Sequence, residues 1–234
     1  MILVFTACKT ISVQDHQYQT TNEQIVLGSI GQDANYLLES SYYSTAIPNY
    51  TTPIKVQVTA VPFNRSSYKS YVRAQEFQNQ TFQVVFVDSL EQKPSFLNME
   101  LVDQVGLITL LNDKTNQDIK EYLVNRTESH MVTKISIAFP ETILKVVQEA
   151  DEVFIEPAGK KSIALHLYKE KELIKKVNFF EGVVFAYQTA SCCWKENSKY
   201  QLEIVDLVES DSECPSKSYL SAQKAKKEID YYKF

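Results

Sequence analysis

The chain has 234 residues, a net charge of −5, 44% hydrophobic residues and 23% charged residues. This length can bury a sizeable core as one domain or two small ones, and the composition is that of an ordinary globular protein. The negative charge argues against binding to nucleic acid, because phosphate contacts need clustered lysine and arginine.

The first eight residues carry a lipoprotein-like motif. In Val4-Phe5-Thr6-Ala7-Cys8 an apolar run leads to a small residue and then a cysteine. This order resembles the lipobox of bacterial envelope lipoproteins, in which the cysteine receives the lipid. The resemblance implies that residues 1–7 are the remnant of an export signal and that Cys8 is the lipidation site. It also implies that the membrane is a partner through the lipid anchor.

Residues 8–24 are almost entirely polar. Such a stretch cannot bury enough apolar surface to fold alone, so it predicts a flexible tether between the lipid and a folded body. No apolar run reaches the roughly 18 residues of a spanning helix, so the lipid is the expected attachment. Lys9 stands where an inner-membrane retention signal of this class would have Asp, which favours the outer membrane.

One globular β-rich domain is predicted over residues 25–210. Its first half contains segments in which apolar and polar residues alternate with a period of two, which is typical of half-buried strands. They are Ile54 to Phe63, Tyr68 to Phe77, Thr81 to Asp88 and Phe96 to Val102. Short connections between them predict an antiparallel meander.

The middle of the chain has helical periodicity. A helix is predicted from Asn116 to Arg126, a strand from His130 to Phe139, and a second helix from Pro140 to Ala150, where proline suits the first turn. This central helical insertion suggests a candidate domain boundary near residues 104–130, with a sheet on each side. One continuous domain is the alternative.

The last third returns to short strands. They are predicted at Glu152 to Glu156, Ser162 to Tyr168, Leu173 to Phe180, Val183 to Thr189 and Tyr200 to Leu207. Residues 211–234 form a loop followed by a short helix from Ser218 to Tyr232. The predicted fold class is therefore α+β, mainly antiparallel β, arranged as a sandwich or as two meandering sheets.

Three cysteines remain after Cys8, and two of them can form a bridge in an oxidising compartment. The expected disulfide joins Cys193 to Cys214, with Cys192 to Cys214 as the alternative. Three unpaired buried thiols are the competing interpretation. A metal site is not expected, because adjacent cysteines lack the spacing of zinc ligands and no histidine lies near them in sequence.

No catalytic residue, metal ligand or cofactor is assigned. The chain has three histidines and lacks the motifs of a nucleophile elbow, a zinc protease or a phosphate-binding loop. Acidic neighbours such as Asp88 with Glu91 fall at the ends of predicted elements, where charges are usually solvated. Catalysis by two carboxylates needs a set separation across a cleft, and sequence proximity does not supply it.

Aromatic residues provide the candidate binding contacts. Tyr42 and Tyr43 lie in a tyrosine-rich, Ser/Thr-rich stretch that could bind a sugar or peptide, or could instead cover a sheet edge. Trp194 is the only tryptophan. It could be an exposed anchor for a partner, although a buried position in the core is favoured.

The predicted function is that of a non-catalytic, membrane-anchored envelope lipoprotein with a binding or structural role. Its partner would be another envelope protein or a glycan. One alternative is an envelope hydrolase that uses carboxylates for acid–base chemistry. A second is a soluble cytosolic binding protein in which Cys8 is an ordinary thiol.

Overall fold

The structure is a computed structural model that describes residues 10–35, 40–89, 91–159, 161–209 and 212–230. Cys8 and residues 1–7 lie outside this part of the chain. The strands are β1 (Thr10–Val13), β2 (His16–Thr20), β3 (Ile30–Asn35), β4 (Ser40–Ala46), β5 (Ile54–Pro62), β6 (Ser95–Leu101), β7 (Ser129–Ala138), β8 (Glu152–Gly159), β9 (Ser162–Lys169), β10 (Glu172–Val177), β11 (Val183–Glu196) and β12 (Leu202–Glu209). The α-helices are α1 (Arg65–Phe77), α2 (Gln104–Asn112), α3 (Gln117–Asn125), α4 (Glu141–Glu149) and α5 (Ala222–Asp230).

The strands join into a single connected sheet whose described pairings are all antiparallel. Its main path runs β1-β2-β11-β7-β6-β5-β8-β9-β10, with β12 beside β11 and with β3 between β4 and β7. This confirms the predicted α+β, mainly antiparallel fold with a short C-terminal helix. The sequence did not decide between a sandwich and two meandering sheets. In the structure the strands form one branched sheet.

The sheet has two differently covered faces, which the alternation along β6 separates. Leu97 and Met99 enter the larger core, whereas Phe96 enters the smaller one and Asn98 lies on the same side as Phe96. The larger core is covered by α2, α3, α4 and α5, and we call this side the helix face. It is mostly aliphatic, with these members among its fully buried residues: Leu27, Ile30, Ile54, Leu97, Leu111, Val132, Ile135, Ile137, Ile155, Leu165 and Leu167.

The opposite side is covered by α1, the β1–β2 hairpin and residues 81–87, and we call it the aromatic face. Its core contains or contacts seven phenylalanine and tyrosine rings in addition to Tyr18: Phe63, Tyr68, Tyr71, Phe82, Phe86, Phe96 and Phe185. Residues 63–94 form this cover as an excursion between β5 and β6, which pair with each other from Val56–Leu101 to Pro62–Ser95.

The prediction of a flexible tether over residues 8–24 is wrong for the described part of that stretch. Residues 10–20 form the β1–β2 hairpin, and β2 pairs with β11 through Thr20–Ala186 and Gln19–Tyr187. Ile11, Val13 and Tyr18 are buried. Three apolar side chains on one face are enough here, because an existing sheet supplies the partner strand and the rest of the core.

The prediction of a strand from Tyr68 to Phe77 is also wrong, because these residues belong to α1. Asn64 accepts a hydrogen bond from the Ser67 N–H at 2.9 Å, and the Ser67 hydroxyl bonds the Asn64 N–H at 3.0 Å. This reciprocal cap starts the helix. Tyr71 and Ala74 then fall at helical spacing from Ser67 and are buried.

Residues 81–88 do not form a sheet strand, although a strand was predicted there. They run back along α1 instead, as described below. The central helical insertion, residues 104–125, is an excursion between β6 and β7, which pair directly. The C-terminal helix begins at Ala222, later than the predicted Ser218, and residues 231–234 lie outside the described chain.

Candidate functional site

A groove of about 770 Å³ opens where three distant segments meet. The segments are residues 44–50, which include the end of β4, residues 115–119 at the start of α3, and residues 157–159 and 161–163 of the β8–β9 hairpin. A volume of this size falls within the range of small-molecule and peptide pockets. This groove is therefore the best candidate for a binding site in the described chain.

One wall of the groove is held by Asn116. Its carboxamide oxygen accepts from the Asn49 N–H at 2.6 Å, and its amide group donates to the carbonyls of Asn49 at 3.1 Å and Leu110 at 2.9 Å. Asn116 is fully buried, so these bonds are shielded from water. They clamp residues 48–50 onto the helical insertion, and the wall is preorganised.

Tyr50 stabilises the same wall of the groove from inside the core. Its ring is buried, and its hydroxyl donates to the Gly28 carbonyl at 2.8 Å. Burial raises the pKa of Tyr50, so the hydroxyl remains a donor throughout the physiological range. Gly28 has a φ of +83°, and a Cβ there would lie 2.0 Å from the Tyr50 hydroxyl oxygen. Glycine is required at this position, because of both its positive φ and the close approach of Tyr50.

The groove surface mixes hydroxyl groups, apolar patches and two opposite charges. Its polar members include Ser44, Thr45, Thr115 and Ser162, and its charged members are Asp118 and Lys161. Asp118 is the one acidic side chain among the described residues that line it. Within the described chain no group of three or more His, Cys, Asp or Glu side chains could hold a metal ion. The lining is suited to hydrogen bonding with a polar ligand.

Two of the predicted contact residues are buried elsewhere. Tyr42 is 1% exposed, donates to the His130 carbonyl at 3.1 Å and packs 5.3 Å from the Tyr187 ring. Trp194 is 2% exposed and lies in the core of the helix face. Tyr42 and Trp194 are therefore core residues, which was the favoured position for Trp194, because burying a large aromatic ring contributes more to stability than leaving it on the surface. Tyr43 is 49% exposed but does not line the groove.

The predicted disulfide is confirmed between Cys193 and Cys214, whose Cα atoms are 5.6 Å apart. Cys192, the alternative partner, is a buried free thiol. Successive residues on a strand point to opposite faces, so only one of the two adjacent cysteines can turn toward Cys214. Burial raises the pKa of Cys192 to about 12, which makes it an unreactive thiol.

A second polar cluster lies on the paired strands β8 and β9. His166 Nδ1 is 3.1 Å from Glu156, and the Tyr168 hydroxyl donates to the other oxygen of Glu156 at 2.7 Å. His166 Nε2 is buried without a hydrogen-bond partner. Burial and the neighbouring Lys176 lower the pKa of His166 more strongly than Glu156 raises it. The imidazole is therefore neutral at pH 7.

His130 contacts a serine that is remote in sequence. Its Nδ1 lies 3.0 Å from the Ser191 hydroxyl on the adjacent strand β11. Its sequence neighbours Glu128 and Ser129 bond to Gln32 instead, at 3.4 and 3.0 Å. The sequence-adjacent Glu-Ser-His run therefore does not form a catalytic triad.

Sequence reasoning missed the groove because its three walls are far apart in the chain. Asn49 and Asn116, which join two of them, are 67 positions apart. The Pro157-Ala158-Gly159 signal predicted the hairpin correctly, but no sequence signal placed that hairpin beside residues 44–50.

Comparison with known proteins gives no relative. No protein-family profile matches the sequence, and no curated protein or solved structure matches it significantly. Among the described helices, none combines the length and apolar character that a membrane crossing would need.

Proposed function

We propose that this protein is a non-catalytic lipoprotein of the bacterial cell envelope. In this proposal Cys8 anchors it in the outer membrane, and its groove binds a polar segment of another envelope protein. The Cys193–Cys214 disulfide carries the argument for the compartment. Disulfides persist in the periplasm and on cell surfaces and are rare in the bacterial cytosol, which counts against the cytosolic alternative.

The start of β1 changes how the anchor would work. β1 begins at Thr10, two residues after Cys8. Two residues span at most about 7 Å, so a lipid on Cys8 would hold the folded body close against the bilayer. The long spacer expected from the sequence is replaced by a short one, because residues 10–20 belong to the sheet.

The groove supports binding better than hydrolysis. Hydrolysis by carboxylates needs two acidic groups that converge on the substrate. The described lining offers Asp118 together with hydroxyl groups and Lys161. A charge of each sign and several hydrogen-bonding groups suit a peptide, which presents amides and charged side chains. Tyr50, the aromatic residue of the lining, is buried, so an exposed ring for stacking a sugar is absent from the described lining.

The anchor is tested by lipid labelling in bacteria. Cells grown with a clickable fatty acid should incorporate it into the wild-type chain. That chain should then be found in the outer-membrane fraction. Cys8→Ser should abolish both signals. Cys192→Ala, which removes a buried free thiol, is the matched control and should keep them. Mass spectrometry that finds an unmodified Met1 on the native chain would end the proposal.

The groove is tested by photocrosslinking. A photoreactive amino acid at Ser44, inside the groove, should give a discrete protein adduct in intact cells. The same residue at Lys145, on the exposed side of α4, should give none. Asn116→Ala should weaken the Ser44 adduct, because it releases residues 48–50. An adduct destroyed by glycan hydrolases but not by proteases would identify a glycan and contradict the peptide assignment.

A further inference from the structure

Residues 81–87 form an extended segment that lies on the aromatic face without being part of the sheet. Its side chains alternate: Phe82, Val84 and Phe86 pack against the aromatic core, whereas Gln83, Val85 and Val87 are exposed. Val85 is 75% exposed and Val87 is 50% exposed. A period of two is the signature of a strand conformation.

Side chains of α1 replace a neighbouring strand along one edge of this segment. The Tyr68 hydroxyl donates to the Val84 carbonyl at 3.1 Å. The Tyr71 hydroxyl donates to the Phe82 carbonyl at 3.3 Å and accepts from the Val84 N–H at 3.2 Å. Gln75 also donates to the Phe82 carbonyl. All of these bonds use backbone groups of even-numbered residues.

The odd-numbered residues present the other edge. In an extended chain the N–H and C=O groups of successive residues point to opposite edges, so those of Gln83, Val85 and Val87 point away from α1. No hydrogen bond joins these groups to any other described part of the chain. An apolar strand with one unpaired edge is a template for the addition of another strand.

We propose that this edge pairs with the same edge of a second copy of the chain, antiparallel about a two-fold axis at Val85. In that register Val85 faces Val85 of the second copy, and Gln83 faces Val87. Every hydrogen-bonded pair then joins two odd-numbered residues, whose backbone groups bond to no other described residue. A single segment supplies both halves of the interface, as two-fold symmetry requires.

Charge favours a second copy as the occupant. Phe77 to Val87 contains no charged residue, so the segment offers nothing that would select a charged peptide, and two copies do not repel each other. Asp88 lies 2.8 Å from Arg65 and 3.2 Å from Lys93. In the proposed register it faces Phe82 of the second copy rather than another Asp88. The α1 helices lie on the outer sides of the paired strands.

The first test is the oligomeric state of the full chain carrying Cys8→Ser, which removes the lipid. Sedimentation velocity across a concentration series should show a weak dimer, because a two-stranded pairing of this length is marginal. Val85→Pro removes the central N–H and should weaken dimerisation by about tenfold or more. Val85→Ala keeps the N–H and should retain the dimer, with circular dichroism confirming that both variants are folded.

The second test addresses the register. Val85→Lys and Val85→Glu should each be monomeric, because like charges would face each other across the axis. An equimolar mixture of the two variants should recover the dimer, since opposite charges then face each other. The proposal is overturned by a Cys8→Ser chain that stays monomeric at every concentration, by a dimer that survives Val85→Pro, or by a mixture that fails to associate.

Discussion

The two faces of the sheet are built by different means. The helix face is covered by four helices and filled mainly by aliphatic side chains. The aromatic face is covered by one helix, a hairpin and an extended segment, and its core consists largely of rings. Tyrosine hydroxyls there bind backbone that the sheet does not pair, and Asn98 donates to Tyr18 at 2.9 Å beside the core.

The difference shows how a layer with little regular structure can shield one face of a sheet from water. Aliphatic packing needs regular helices that present a continuous stripe, whereas each ring buries a large area and can also carry a hydrogen-bonding group. The aromatic face therefore tolerates irregular cover. Its integrity should therefore depend on a few rings and hydroxyls.

The largest effect is expected for Phe63→Ala. The Phe63 ring lies at centroid distances of 5.0–6.0 Å from Phe96, Tyr71, Phe185 and Tyr68. Its removal should lower the free energy of unfolding by about 3–5 kcal/mol in urea titrations, because it leaves a cavity among these rings. Phe180→Ala is the control, since Phe180 is 64% exposed, and should change stability little. Equal effects of the two variants would refute the central role of Phe63.

The two adjacent cysteines of β11 should differ in what they contribute to stability. Cys214→Ser opens a bridge that spans 21 positions in the sequence, and it should cost roughly 3 kcal/mol of unfolding free energy. Reducing agent should lower the stability of the wild-type chain by a similar amount. Cys192→Ala removes a buried free thiol and should cost about 1 kcal/mol. If reduction leaves the melting temperature unchanged, the bridge does not contribute.

Tyr71→Phe should weaken the cover without opening the core. The variant keeps the ring but loses the hydroxyl that bonds to Phe82 and Val84, which should cost about 1 kcal/mol. Hydrogen exchange should accelerate at the Val84 amide, because that N–H loses its acceptor. Tyr43→Phe alters an exposed hydroxyl and serves as the control. Unchanged exchange at Val84 would contradict the role of the Tyr71 hydroxyl.

The smallest effect concerns the pH dependence of stability and the buried His166 on β9. The pKa of His166 is lowered from its ordinary value of 6.5, chiefly by burial. Below pH 6.5 the unfolded chain therefore binds a proton that the folded chain does not, so stability should fall as pH decreases. His166→Gln should flatten this part of the stability curve in melts between pH 5 and 7.5. A wild-type slope that persists in the variant would assign the effect to other groups.

The sequence by itself determined the elements whose periodicity is unambiguous. β5 and β6 alternate cleanly, and α3 and α4 have helical spacing, so their type was predicted correctly. The preferred pairing of Cys193 with Cys214 was also correct. These features depend on a local pattern of residues or on a choice among few cysteines. Both can be recognised in the sequence alone.

Only the tertiary structure decided the rest. Residues 10–20 are too polar to fold alone, but β2 pairs with β11, a largely buried strand of the sheet. Tyr68 to Phe77 is rich in residues that favour strands, yet the Asn64–Ser67 cap and the aromatic core make it helical. The groove unites walls from residues 44–50, 115–119, 157–159 and 161–163. Contacts between distant segments determine such features, and no local pattern records which segments will meet.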